Sequence, residues 1–143
     1  MTLAKPLSAA LLALACLAAG QPARAAGDIK VDSLMTRPLP EAPGKEAQMI
    51  TVEYPPGGAD PVHRHNAHGF IYVLEGSIVM GVKGGKEVTL GPGQTFYEGP
   101  GDLHTVGRNA STTKPAKFLV MLIKDQGAPI LIPEPAPHAG HPR

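Results

Sequence analysis

The stretch His63-Arg64-His65-Asn66-Ala67-His68-Gly69-Phe70-Ile71-Tyr72-Val73-Leu74-Glu75-Gly76 decides how this chain is read. Three of the six histidines in the sequence fall within its first six residues. Its second half is rich in β-branched and aromatic residues and ends in glycine, the composition of a strand that turns. His63 and His65 are two apart, and extended backbone puts residues two apart on one face. Two imidazoles on one face of a strand can grip a single metal ion. The question is whether the rest of the chain builds a cavity around them.

Before this stretch, Met49, Thr51 and Glu53 alternate with Ile50, Val52 and Tyr54, the pattern of a half-buried strand. Pro55-Pro56-Gly57-Gly58 breaks it. After the stretch come short β-runs separated by turn signals: Ile78-Val79-Met80-Gly81-Val82, then Lys83-Gly84-Gly85-Lys86, then Glu87-Val88-Thr89-Leu90. Gly84-Gly85 predicts a two-residue hairpin, since both central positions can take positive φ. Gly91-Pro92-Gly93 and Gly99-Pro100-Gly101 bracket a short run from Gln94 to Glu98, and Leu103-His104-Thr105-Val106 follows. Phe118-Leu119-Val120-Met121-Leu122-Ile123 is the most apolar run and reads as a strand buried on both faces. Asn109-Ala110-Ser111 matches a glycosylation sequon and is read as an unmodified turn. With 17 Gly, 16 Pro, no Trp and no sustained 3.6-residue period, the chain predicts an all-β sandwich or barrel.

Residues 1–25 read as a bacterial-type secretory signal peptide: Lys5, an apolar Leu/Ala run, then Ala23-Arg24-Ala25. Its removal takes Lys5 and Arg24 from 13 basic residues and leaves 11 against 12 acidic ones. Such a balance offers no basic patch for nucleic acid, and no membrane association is expected after cleavage. Cys16 is the only cysteine and lies in the signal, so the remaining chain has no disulfide. The expected location is periplasmic or secreted. The expected organisation is a Pro-rich lead-in arm over 26–47, one β-barrel over 48–132 and a disordered Pro-rich tail over 133–143. His138 and His141 in that tail are kept apart from the site.

Two spacings carry a family resemblance. Gly57, His63, His65 and Gly76 follow the pattern glycine, five residues, His-x-His, and a closing glycine. Gly93, Gly101 and His104 follow a second pattern that ends in an asparagine, here Asn109, one residue late. Together they resemble the two motifs of the cupin superfamily, in particular its small single-domain bacterial exported members. The resemblance implies a single-domain double-stranded β-helix, or jelly-roll barrel. It implies a divalent transition metal (Fe, Zn, Mn, Ni or Cu) held by His63, His65 and His104. The first motif's glutamate falls at position 69, which is Gly69 here. The second motif's proline falls at Gly99, beside Pro100.

His68 lies beside the vacant glutamate position and is a candidate fourth ligand, although strand parity turns it the other way. Glu98 precedes the second motif's turn and is a candidate carboxylate ligand or general base. Gln94, Phe96 and Glu98 share one face, and Tyr97 the other. If Gly69 faces inward, Ile71 and Val73 do too and Tyr72 does not. The functional expectation is a small metal-binding protein, as an enzyme of the three-histidine Fe(II) oxygenase type or of isomerase or lyase type, acting on a small organic molecule. The alternatives are a non-catalytic periplasmic module that holds a metal or small ligand, and a structural homodimer built by sheet extension through the lead-in arm.

Overall fold

A computed structural model describes residues 27–135. The signal-like segment and the two tail histidines lie outside the described residues. Ten strands run in order: β1 Lys30–Pro38, β2 Lys45–Tyr54, β3 His63–Arg64, β4 His68–Glu75, β5 Ile78–Val82, β6 Val88–Leu90, β7 Thr95–Glu98, β8 His104–Asn109, β9 Ala116–Asp125 and β10 Ile132–Pro133. No helix occurs among the described residues. The strands form two five-stranded antiparallel sheets, ordered β1-β2-β9-β4-β7 and β10-β3-β8-β5-β6. The expected double-sheet, single-domain barrel is what forms.

Alternation builds the core between the sheets. Ile50, Val52 and Tyr54 of β2, Ile71 and Val73 of β4, and Phe118, Val120 and Leu122 of β9 are buried from the first sheet. Ile78 and Met80 of β5 and Leu90 of β6 meet them from the second. The Tyr54 and Phe118 rings meet edge-on at 5.0 Å. Fully burying a side chain of this size removes enough apolar surface to contribute about 1.5–3 kcal/mol.

Two readings change with the structure, that of β9 and that of the start of the tail. The β9 run is not buried on both faces; it alternates strictly between buried and half-buried residues. Leu119, Met121 and Ile123 are apolar because the outer face of this sheet is itself apolar, next to exposed Phe70, Tyr72 and Tyr97. The lead-in lies along a sheet edge: β1 pairs with β2 from Lys30↔Glu53 to Pro38↔Glu46, with a shift between Ser33 and Met35. The tail is tied down at its start, where Ile132 and Pro133 pair with Arg64 and His63. Glu134 continues this: its N–H donates to the Val62 carbonyl at 2.9 Å and its carboxylate accepts from Arg64 Nε at 3.0 Å.

The loops that matter to the site are pinned individually. Gly76 takes φ 71°, and a Cβ there would stand 2.6 Å from the Pro115 carbonyl oxygen, so the β4–β5 turn needs glycine twice over. In the Gly84-Gly85 hairpin only Gly84 is left-handed (φ 82°); the turn closes with Gly85 N–H on the Val82 carbonyl at 2.9 Å. Asn109 is buried, and its Nδ2 donates to the carbonyls of Pro55 at 3.0 Å and Lys114 at 2.8 Å. Its Oδ1 accepts from Ser111 N–H at 2.8 Å. That side chain clamps the end of β2 to the β8–β9 loop, and its amide nitrogen is fully engaged there.

Candidate metal centre

The two-residue strand β3 lies between β10 and β8, and His63 stands directly opposite His104. His65 follows two residues on and presents its ring to the same side. His63 Nε2 lies 3.0 Å from His65 Nε2 and 3.2 Å from His104 Nδ1. All three histidines offer a nitrogen within 4.8 Å of one another. His63 and His104 are buried, with 1% and 4% of their surface exposed.

The outer nitrogens fix the rings. His63 Nδ1–H donates to the Pro61 carbonyl at 2.7 Å, and His65 Nδ1–H donates to the Ile130 carbonyl. A carbonyl oxygen only accepts, so each Nδ1 carries a proton and each ring turns its Nε2 inward, where it offers a lone pair whenever no second proton is bound. This backbone buttressing of imidazoles is the arrangement that orients metal ligands. Ile130 reaches the site because the segment after β9 wraps back toward β3. His104 differs: its Nδ1 faces the cluster and its Nε2 is buried with no protein partner. That ring is therefore held from the cluster side alone.

Glu98 enters from the opposite sheet. It ends β7, is 3% exposed, and sets Oε1 3.0 Å from His65 Nε2 and Oε2 3.2 Å from His104 Nδ1. Phe96, on the same face of β7, lies against His104 with ring centroids 6.4 Å apart. Within β7 the parity reading holds for Phe96 and Glu98 against Tyr97, while Gln94 lies before the strand and is exposed; in β4, Ile71 and Val73 face inward and Tyr72 outward. His68 does not join the cluster. It is exposed on the outer face, where its Nδ1 meets the Tyr97 hydroxyl at 2.8 Å. The physical reason is parity: β4 pairs in regular register with β9 from His68 to Val73, and its one irregularity lies beyond, between Val73 and Glu75, so no bulge rotates that ring inward.

Burial and charge divide the protons. Burial pulls His63 below the usual histidine range, and the neighbouring rings of His65 and His104 add to this. Burial also acts to lower His65, but the hydrogen bond and charge of Glu98, helped by the Ile130 carbonyl, outweigh it and hold His65 above its ordinary value. For Glu98, burial acts to raise the carboxyl; the His65 hydrogen bond and the charges of His65, His104 and His63 outweigh it and hold it low. With no ion bound, the proton that His65 takes up on Nε2 is held by the Glu98 carboxylate. A divalent ion would displace it.

The cluster lies on one wall of a cavity of about 300 Å³ between the sheets. Ile50, Val52, Ile71, Met80, Phe118 and Val120 make most of the rest. The remaining polar lining is Tyr54 and Asp60. Tyr54 is wholly buried and its hydroxyl donates to the Asp60 carboxylate. Burial first, then the charge of Asp60, push its phenol far above the usual range, so it stays a donor. Sequence reasoning missed this pair. Nothing in the residue pattern marks it, because the contact depends on the Pro-Pro-Gly-Gly turn folding Asp60 back over the end of β2.

The sequence matches the cupin domain family over residues 50–122, half of the chain, and the chain belongs to that family. Among solved structures, it is similar to the polyketide cyclase RemF from Streptomyces resistomycificus, at 24% identity over 79% of this chain and 75% of the other, with a TM-score of 0.59. It is similar to an oxalate oxidase in complex with the substrate analogue glycolate, at 25% identity over 75% of this chain and 58% of that one, TM-score 0.56. The DMSP lyase DddQ from Ruegeria pomeroyi DSS-3 is similar at 24% identity over 61% and 42%, TM-score 0.54. No curated protein matches. These neighbours carry the fold, and they include enzymes that act on small molecules.

Proposed function

We propose that this protein is a metal-dependent cupin that acts on a small, largely hydrocarbon organic molecule through a centre held by His63, His65 and His104. The observation that carries the reading is the pair of Nε2 atoms turned inward 3.0 Å apart on His63 and His65, each ring fixed by a backbone carbonyl behind it. Two ring nitrogens at that separation need a cation between or beside them, a proton in the metal-free protein or a metal ion in the loaded one. The donor set suits Fe(II), Zn, Ni, Cu or Mn. When bound, such an ion supplies Lewis-acid polarisation of a substrate oxygen and, where it is redox-active, electrons for oxygen chemistry.

The chain's own residues do the rest. The aliphatic walls exclude water, which strengthens every polar contact inside. The cavity volume is about twice that of an apolar cavity known to hold benzene, ~150 Å³, so it favours a compact molecule over a sugar or nucleotide. The Tyr54 hydroxyl, held by Asp60, adds a polar group on the His104 side of the cavity. A substrate with one polar head and a hydrocarbon body fits this division of the lining. The signal-like residues 1–25 support an exported location.

The test is calorimetric binding of small phenols, diketones and thiols to metal-loaded protein, with oxygen uptake followed for the iron form. The expected result is binding of apolar probes that weakens at least tenfold when the ion is removed. Equal binding with and without metal, or preference for a sugar of the same size, contradicts it.

A further inference from the structure

Gly69 and Glu98 are directly opposite each other on β4 and β7. Both are buried and both face the histidines from the sheet that carries no ligand histidine. A Cβ at position 69 would stand 2.9 Å from Glu98 Cγ and 3.0 Å from Glu98 Oε1. The first distance is closer than real Cβ atoms approach. Gly69 has no left-handed φ, so its backbone does not demand glycine. What demands it is the space. The Glu98 side chain lies over the bare Cα of Gly69, and there its two oxygens reach His65 and His104 at 3.0 and 3.2 Å.

We infer that Glu98 is a fourth, anionic ligand of the metal centre, delivered from the opposite sheet, and that Gly69 is the positioning residue that makes room for it. This inference rests on the three-histidine reading and deepens it. A buried carboxylate with both oxygens turned to the ligand nitrogens of two histidines points at the place where those nitrogens converge. It also neutralises half the charge of a divalent ion in a cavity whose other walls are apolar apart from Tyr54 and Asp60.

The experiment is a double-mutant cycle on full-length protein carrying His138→Ala and His141→Ala, which removes the tail imidazoles. Gly69→Ala, Glu98→Ala and their combination are loaded with Co2+, and both the dissociation constant and the visible d–d absorption are read. Glu98→Gln is measured beside them, because it keeps the side-chain shape and removes only the charge. The inference expects Glu98→Gln to weaken Co2+ binding by more than the roughly 10–100-fold typical of groups that only support a ligand, with a changed d–d spectrum. It expects Gly69→Ala to weaken binding when Glu98 is present and to add nothing once Glu98 is alanine. Unchanged affinity and spectrum in Glu98→Gln overturn the ligand role, while Co2+ loss in His104→Ala leaves the histidine reading standing. Equal losses from Gly69→Ala in both backgrounds overturn the positioning role. Retention of Co2+ by both His104→Ala and Glu98→Gln means that the histidine reading itself has failed.

Discussion

At the scale of single residues, the site is a problem of proton placement. His65 and Glu98 share a buried proton in the metal-free protein. His65 is held above its ordinary 6.5, so its contribution to stability is complete below that value and is lost as pH rises through its folded value. Glu98 is held below its ordinary 4.5, so its contribution is complete above that value and is lost as pH falls through its own folded value. The pair therefore stabilises metal-free protein most between 4.5 and 6.5. Denaturant midpoints measured against pH should show Glu98→Gln losing most in that window; a loss independent of pH would contradict it. His68 gives a contrasting prediction. Its ring touches Tyr97 on the outer face, so His68→Ala should leave metal content unchanged. A drop comparable to His104→Ala would place it back in the site. The sequence alone showed His63, His65 and His104 through spacing. It could not settle His68 against Glu98, because motif counting places a vacancy and only the cross-strand register of β4 and β7 shows what fills it.

At the scale of elements, turns and clamps hold the short strands in register. Asn109 makes the strongest case. Replacing it by alanine removes hydrogen bonds to Pro55, Lys114 and Ser111 and leaves buried backbone groups unpaired. The expected cost is about 2–3 kcal/mol, read from chemical denaturation; a change under about 0.5 kcal/mol, the range of ordinary surface substitutions, would refute the clamp. Most strands were legible from alternation and from Gly and Pro punctuation. Two were not. β1 has every residue exposed, so no buried face leaves a period in its sequence; only its pairing to β2 makes it a strand. β9 reads as doubly buried because apolar residues also cover the outer side of its sheet.

At the scale of the whole molecule, the centre is where the two sheets meet chemically. The histidines come from one sheet and Glu98 from the other, and the segment after β9 adds the Ile130 carbonyl. An ion bound there belongs only to the folded state. At a free concentration one hundred times its dissociation constant it should stabilise the fold by about 2.7 kcal/mol. For a domain of this size that raises Tm by roughly 10 °C. Scanning calorimetry with and without Zn2+ checks this, and an unchanged Tm in saturating metal would show that the sheets are not joined through the site.

The central claim is that His63, His65 and His104 hold one metal ion. Its most direct test is the metal content, after dialysis, of protein in which His138 and His141 are alanine, compared with the same protein also carrying His104→Ala. The account predicts about one divalent ion per chain in the first and none in the second. Equal metal content in the two would contradict it.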